Sequence, residues 1–152
     1  MARITAWLTA MLIVTNTAVV EGQASLPKWG LDAYRQDPAR HVAMLEAHLT
    51  TRIQNTESAR RYAIDLRTDI ERVSKGDRDR LSKLSEIHTV IASLTRSADV
   101  DRRLAATLEK PLPPVQLEKL VQVIWTSLPE DDARLARQAQ LLHETRTALP
   151  SR

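Results

Sequence analysis

The feature that most constrains this chain is a seven-residue repeat of apolar side chains, which we call the α-helical seam. If Val42 is assigned to position a of the repeat, eight of the ten a and d positions are apolar, and Arg52 and Thr56 are the exceptions. The ten positions are Val42, Leu45, Leu49, Arg52, Thr56, Ala59, Ala63, Leu66, Ile70 and Val73. Apolar residues that recur in this heptad pattern wind one α-helix around another. Because a single helix cannot bury such a stripe against itself, the sequence predicts a helix over roughly 38–74 and a second helix that covers it.

A second helix follows after a short connection. Asp37-Pro38 predicts the start of the first helix, because Asp can accept free backbone N–H groups and Pro suits the first turn. Gly76 and Asp77 are typical of the end of one helix and the cap of the next. The next apolar residues are spaced 3, 4, 3 and 4 apart, at Leu84, Ile87, Ile91, Leu94 and Ala98. The pattern favours an antiparallel helical hairpin over about 38–96.

The remaining residues predict shorter helices over about 99–149. A weaker apolar pattern over 99–109 ends at Pro111-Leu112-Pro113-Pro114, which breaks a helix. Another helix follows, and Ser127-Leu128-Pro129-Glu130 resembles a capping box that would begin a last helix. The predicted fold is all-α: a long antiparallel, coiled-coil-like hairpin with two or three shorter packed helices, in a single helical domain over 37–152.

The composition supports helices packed side by side. Aromatic residues make up 3% of the chain, and it has three glycines, so the core must rest on Leu, Ile, Val and Ala. The chain has no cysteine, which excludes disulfides, thiolate metal sites and a Cys nucleophile. The net charge is +3, but positive and negative residues are interspersed along the chain. Mixed charge of this kind is typical of solvated helix faces, so we expect no nucleic-acid partner.

Residues 1–24 resemble a secretory signal peptide. Arg3 precedes the largely apolar run Ile4–Val20, and Gly22-Gln23-Ala24 places small residues where a signal peptidase needs them, predicting cleavage before Ser25. The mature protein would then be periplasmic or secreted from a bacterium. Two alternatives are an uncleaved inner-membrane anchor and a buried core helix, although a run of 17 residues is shorter than the ~20 that span a bilayer. We expect contact with the membrane only through this segment or peripherally.

The segment 25–36 contains Pro27 and Gly30 and has no periodicity, so we expect an extended N-terminal arm. Because it carries Trp29 and Tyr34, we expect it to dock onto the helices. Trp125 lies on an otherwise aliphatic helix face, which predicts a core position, with a groove for a partner as the alternative.

The histidines are candidate metal ligands. Met44 and His48 lie one helical turn apart and could bind a soft ion such as copper if His88 or His143 came close. His41 and His48 are separated by ~10 Å along the axis, too far to share an ion. Solvated polar positions beside the seam are the alternative reading, and we predict no bound cofactor.

Catalysis is not predicted. Glu130-Asp131-Asp132 is explained by helix capping, since consecutive carboxylates on a helix point ~100° apart. The serines and threonines lack a glycine elbow. We therefore predict a non-enzymatic interaction protein: an accessory, scaffold or chaperone-like subunit of an envelope assembly such as a secretion or transfer apparatus.

The predicted partners are envelope proteins. They would dock helix to helix on the seam and the aromatic arm through Trp29, Tyr34, Leu49, Leu66 and Trp125. Dimerisation of the chain through the exposed part of the seam is a further hypothesis. The alternatives are a periplasmic metal-binding or metal-responsive protein and an inner-membrane-anchored coiled coil.

Overall fold

The computed structural model describes residues 26–73 and 78–149. The predicted signal peptide over 1–24 lies outside these residues, as does the predicted turn at Gly76 and Asp77. Among the described residues there are four helices and no β-strand. The helices are α1 (Leu31–Gln36), α2 (Pro38–Val73), α3 (Arg78–Leu108) and α4 (Pro114–Thr147). The all-α prediction is confirmed, and none of these helices is long and apolar enough to cross a membrane.

The first long helix begins where the sequence predicts. The carboxylate of Asp37 accepts a hydrogen bond from the backbone N–H of Arg40 at 3.1 Å, and Pro38 is the first helical residue. This contact satisfies one of the backbone donors that the first turn leaves free.

Helices α2 and α3 form the predicted antiparallel hairpin. Arg52 of α2 pairs with Asp101 of α3, and the later Arg60 bonds to the earlier Thr95, with Nε donating to Oγ1 at 3.0 Å. Helix α4 then returns alongside both. Its Gln138 donates to Ser93 Oγ of α3 at 2.6 Å, and its residue order runs parallel to that of α2. The architecture is therefore a three-helix bundle with α1 at one end.

The seam of α2 is covered within the chain. Eight of its ten side chains are buried, and the terminal Val42 and Val73 are half-buried. The apolar core has two parts. One, at the end of the bundle where α1 packs, contains Tyr34, Leu45, Leu49, Leu108, Val121, Ile124, Trp125 and Leu128. The other, toward the hairpin turn, contains Ala59, Ala63, Leu66, Ile70, Ile87, Val90, Leu94 and Leu142.

Helix α3 is longer than predicted. A break was expected between the hairpin and a weaker helix starting at residue 99, but α3 continues without interruption to Leu108. Its inward face continues through the buried Ala98, Asp101 and Leu108, and Asp99 bonds to Arg102 one turn later at 3.2 Å. Because burial and pairing continue past Ser97, the weak propensity of the local residues does not end the helix. The proline-rich break at 111–114 is confirmed.

The predicted break at Pro129 is also wrong. Pro129 lies inside α4, and the side-chain oxygen of Ser127 bonds backward to the Ile124 carbonyl at 2.9 Å, not forward as a cap would. A proline inside a helix removes one backbone hydrogen bond and crowds the carbonyl four residues earlier. Buried side chains on both sides of it, Leu128 before and Leu142 after, hold the helix against the bundle. A third long helix thus replaces the shorter ones expected here.

The N-terminal arm is extended only in part. Residues 26–30 have no regular structure, but Leu31–Gln36 form α1, where an extended segment was expected. The first backbone hydrogen bond of α1 runs from the N–H of Tyr34 to the carbonyl of Gly30 at 3.0 Å. The side chain of Tyr34 is buried against the bundle. Packing of this one side chain orders a segment that has no apolar periodicity of its own.

Candidate functional site

A layer of charged residues separates the two parts of the apolar core. Arg52 occupies a d position of the seam and is 7% exposed, and Asp101 of α3 is 2% exposed. Arg52 Nε donates to Asp101 Oδ2 at 2.7 Å, and Nη2 donates to Oδ1. This planar, two-point contact is the geometry in which arginine binds a carboxylate most strongly.

Helix α4 adds two more carboxylates to this layer. Asp131 Oδ2 and Asp132 Oδ1 each lie 3.7 Å from Arg52 Nη1. His48 Nε2 lies 2.9 Å from Asp132 Oδ2, and because a carboxylate oxygen only accepts, the histidine nitrogen donates. All three long helices therefore contribute to the charged layer, which we define as Arg52, Asp101, Asp131 and Asp132, together with His48, which bonds to Asp132.

The charge of Arg52 is maintained despite its burial. Burial alone lowers the pKa of the guanidinium, but the hydrogen bond and negative charge of Asp101, with the charges of Asp132 and Asp131, outweigh it and raise that pKa. The arginine therefore remains a cation inside the bundle. We expect a charged layer of this kind to favour one register of the three helices, because a shift of any helix would leave a buried charge unpaired.

The second notable group closes the end of the bundle near the arm. The rings of Trp29, Tyr34, His41 and Trp125 lie together, with centroid distances from 5.3 Å between His41 and Trp125 to 6.5 Å between Trp29 and His41. Trp125 Nε1 donates to the Pro27 carbonyl at 2.7 Å. The prediction that the N-terminal arm docks onto the helices is therefore confirmed.

An ion pair fastens α1 to α4 beside these rings. Arg35 donates to both carboxylate oxygens of Glu118, at 3.0 and 3.1 Å. The hydrogen bond from Arg35 lowers the pKa of Glu118. The arm is therefore held by a buried aromatic contact and an exposed two-point ion pair.

The residues predicted to bind a partner have partners in the chain itself. Leu49 and Leu66 are 0% and 1% exposed, and each lies in one part of the apolar core. Tyr34 and Trp125 are also buried, and Trp29 packs against them. Within the described residues the seam has no exposed stretch, because α3 and α4 cover it.

The residues considered as metal ligands are not brought together. His48 is committed to Asp132, and Met44 packs against the apolar core. His88 lies 13 residues before Asp101 on α3, about 20 Å along the helix axis from the charged layer. His143 lies 11 residues after Asp132 on α4, about 16 Å away along its axis. Within 26–73 and 78–149, no three His, Asp or Glu side chains are placed to share a metal ion.

Asp101 is the member of the charged layer that sequence reasoning missed. The signal was present at Arg52, because a cation in the middle of an apolar seam requires an acidic partner on the covering helix. Helix α3 carries several acidic residues, however, and their register against α2 depends on the turn length and the packing of both helices. The sequence shows that Arg52 interrupts the apolar seam, but it does not show which acidic residue of α3 pairs with it.

The outward side of α4 between residues 114 and 133 carries few charges. Of its eleven exposed residues, two are charged, Lys119 and Glu130, whereas seven of the fifteen exposed residues of α3 are charged. Val115 and Val123 on this side are 66% and 65% exposed. The outward side of α2 over 38–58 is also nearly uncharged, but apart from Arg40 its side chains are small or of medium size. We call the exposed residues of 114–133 the α4 outer face.

No protein-family model, curated protein or solved structure matches this chain at a significant level.

Proposed function

We propose that this chain is an exported, non-enzymatic interaction protein. It serves as an accessory, scaffold or chaperone-like subunit of a bacterial envelope assembly, such as a secretion or transfer apparatus. The export proposal rests on the sequence of residues 1–24, and the docking proposal rests on the surface of the bundle.

One observation carries the docking proposal: the α4 outer face combines few charges with two exposed valines. Apolar side chains that are exposed on a charge-poor surface lose unfavourable hydration when a partner covers them. Charged residues are depleted at the centre of protein interfaces for the same reason. This face replaces the seam as the proposed contact, because the seam is occupied by α3 and α4.

The fold supports such a role because the α4 outer face lies on a helix that contacts each of the other helices. The charged layer ties the middle of α4 to α2 and α3, and Glu118 ties its first turns to α1. A partner that binds a surface already held in place loses less conformational entropy than one that must order it.

Export is tested by fractionating the native host and measuring the intact mass of the product. The expected result is a periplasmic or secreted protein that begins at Ser25. A product that retains Met1 and sediments with the inner membrane would support the anchored alternative, and a product that retains Met1 in the cytoplasm would contradict export.

Docking is tested by placing a photo-crosslinking amino acid at Val123 in living cells. The matched control is Leu81 on α3, which is 69% exposed and lies far from the α4 outer face. We expect a discrete adduct at Val123 and none at Leu81, and Val115→Asp should weaken the adduct without changing the helical content. Equal adducts at both positions, or none at Val123, would contradict docking through this face. An adduct with the mass of two chains would identify the partner as a second copy.

A further inference from the structure

A cleft opens between α3 and α4 directly above the charged layer. Its volume is about 340 Å³, within the range of small-molecule sites and near its lower limit. Arg52 and Thr56 of α2 form its floor, and its walls are polar apart from Val100 and Leu135. The wall residues that the argument needs are Ser97 and Arg96 of α3 and Arg134 and Gln138 of α4.

The floor of the cleft holds a hydrogen-bond donor that lacks an acceptor. Two nitrogens of Arg52 are bonded to Asp101, but Nη1 is buried and has no hydrogen-bond partner. Its nearest described carboxylate oxygens are 3.7 Å away, too far for a hydrogen bond. A buried donor without an acceptor is unfavourable, so a group that enters the cleft and offers a lone pair is stabilised there.

The charges around the cleft differ between floor and rim. At the floor, Asp101 and Asp131 already balance Arg52, so a neutral acceptor is favoured over a second anion. At the rim, Arg134 bonds to Asp131 at 2.6 Å, whereas Arg96 forms no ion pair with any residue in 26–73 or 78–149. Arg96, which is exposed on the α3 wall, is therefore a cation without an ionic partner among the described residues, and it borders a polar cleft.

We propose that this cleft binds a small organic oxyanion that also carries a hydroxyl or carbonyl oxygen. The carboxylate or phosphate of the ligand lies at the rim between Arg96 and Arg134, which suit planar and tetrahedral oxyanions alike. The neutral oxygen reaches inward and accepts from Arg52 Nη1, and the Ser97 hydroxyl and the Gln138 amide line the path between. The proposed docking face, made of the exposed residues of 114–133, includes none of the residues that line this cleft.

The ligand class is tested by titrating the mature protein with small anions at constant ionic strength and following backbone amide signals by NMR. The probes are glycerate, glycerol 3-phosphate and butyrate, and butyrate has the carboxylate without a hydroxyl. We expect saturable shifts at Ser97 and Gln138 with at least one hydroxylated probe, and binding of butyrate at least tenfold weaker. A response to glycerate alone assigns a carboxylate ligand, and a response to glycerol 3-phosphate alone assigns a phosphate. No saturable shift with either hydroxylated probe, or equal binding of butyrate, would overturn the proposal.

Two variants tie the binding to the cleft. Arg96→Gln should weaken binding at least tenfold, whereas Arg103→Gln, which removes an exposed arginine from α3 outside the cleft, should leave it unchanged. Ser97→Leu fills the cleft without changing any charge and should abolish binding while the remaining amide signals keep their positions. Equal weakening by Arg96→Gln and Arg103→Gln would show that the anions bind by general charge attraction, and the proposed site would then be wrong.

Discussion

Arg52 and Asp101 form a two-point ion pair between adjacent antiparallel helices, in the interior of a bundle whose other inward positions are mostly apolar. The pair stands where the two parts of the apolar core meet, and α4 adds Asp131 and Asp132 around it. Placing charges in a core costs desolvation free energy, which an apolar pair would avoid. We expect the pair to favour one register of the helices, because the guanidinium meets its carboxylate in one alignment only.

Removal of the Asp101 charge should destabilise the protein strongly. Asp101→Asn leaves Arg52 buried without its main counter-charge, and we expect the free energy of unfolding to fall by about 3 kcal/mol. Urea denaturation followed by circular dichroism measures this change. The matched control is Asp99→Asn on the exposed side of the same helix, expected within about 0.5 kcal/mol of the wild type. Equal effects of the two substitutions would contradict a structural role for the buried pair.

The hydrogen bond from Trp125 to the Pro27 carbonyl should help to hold the N-terminal arm against the bundle. Trp125→Phe keeps an aromatic ring but removes the donor, and we expect a loss of stability of about 1 kcal/mol with faster amide hydrogen exchange at Tyr34. The amide of Leu66, in the other part of the core, serves as the internal control and should remain protected. Unchanged exchange at Tyr34 would show that this hydrogen bond is not needed and that ring packing and the ion pair of Arg35 and Glu118 hold the arm.

Replacement of Pro129 should stabilise α4. Pro129→Ala restores a backbone N–H in the middle of the helix and removes the clash with the preceding turn, at an exposed position where no packing is lost. We expect the free energy of unfolding to rise by about 1–3 kcal/mol, measured by urea denaturation with the wild type alongside. A decrease would mean that the proline sets a bend on which the packing of α4 depends.

The two tyrosines should make the protein less stable at high pH. Burial raises the pKa of both Tyr62 and Tyr34, and the Tyr62 hydroxyl has no hydrogen-bond partner among the described residues. The pKa of each tyrosine in the folded protein lies above the unfolded value of about 10. The contribution of each neutral hydroxyl to the free energy of unfolding is therefore fully present below pH ~10 and is lost as the pH rises through the folded pKa. The absorbance of the phenolate and thermal unfolding against pH measure the two effects together.

Tyr62→Phe separates the contributions of the two rings. The substitution removes a buried hydroxyl without an acceptor, so we expect stability at neutral pH to be unchanged or slightly higher. The loss at high pH should become smaller, and the remaining part belongs to Tyr34. A variant that is clearly less stable at neutral pH would show that the hydroxyl has a partner in solution.

Much of the architecture follows from the sequence. The seam between Val42 and Val73, the start at Asp37-Pro38 and the break at 111–114 predict the hairpin and the limits of its first helix. These features are local: heptad spacing, a capping side chain and consecutive prolines act within a few turns of the chain. A reader of the sequence could also place Trp29 and Trp125 in contact with the bundle.

The tertiary structure decided where the local signals were weak or conflicting. Helix α3 passes Ser97 and α4 passes Pro129 because burial on both sides of each position outweighs the local preference for a break. The same packing covers Leu49 and Leu66 within the chain and pairs Arg52 with Asp101. Which carboxylate meets a buried arginine, and which face stays open to solvent, depends on the register of three helices, and no single segment of sequence determines that register.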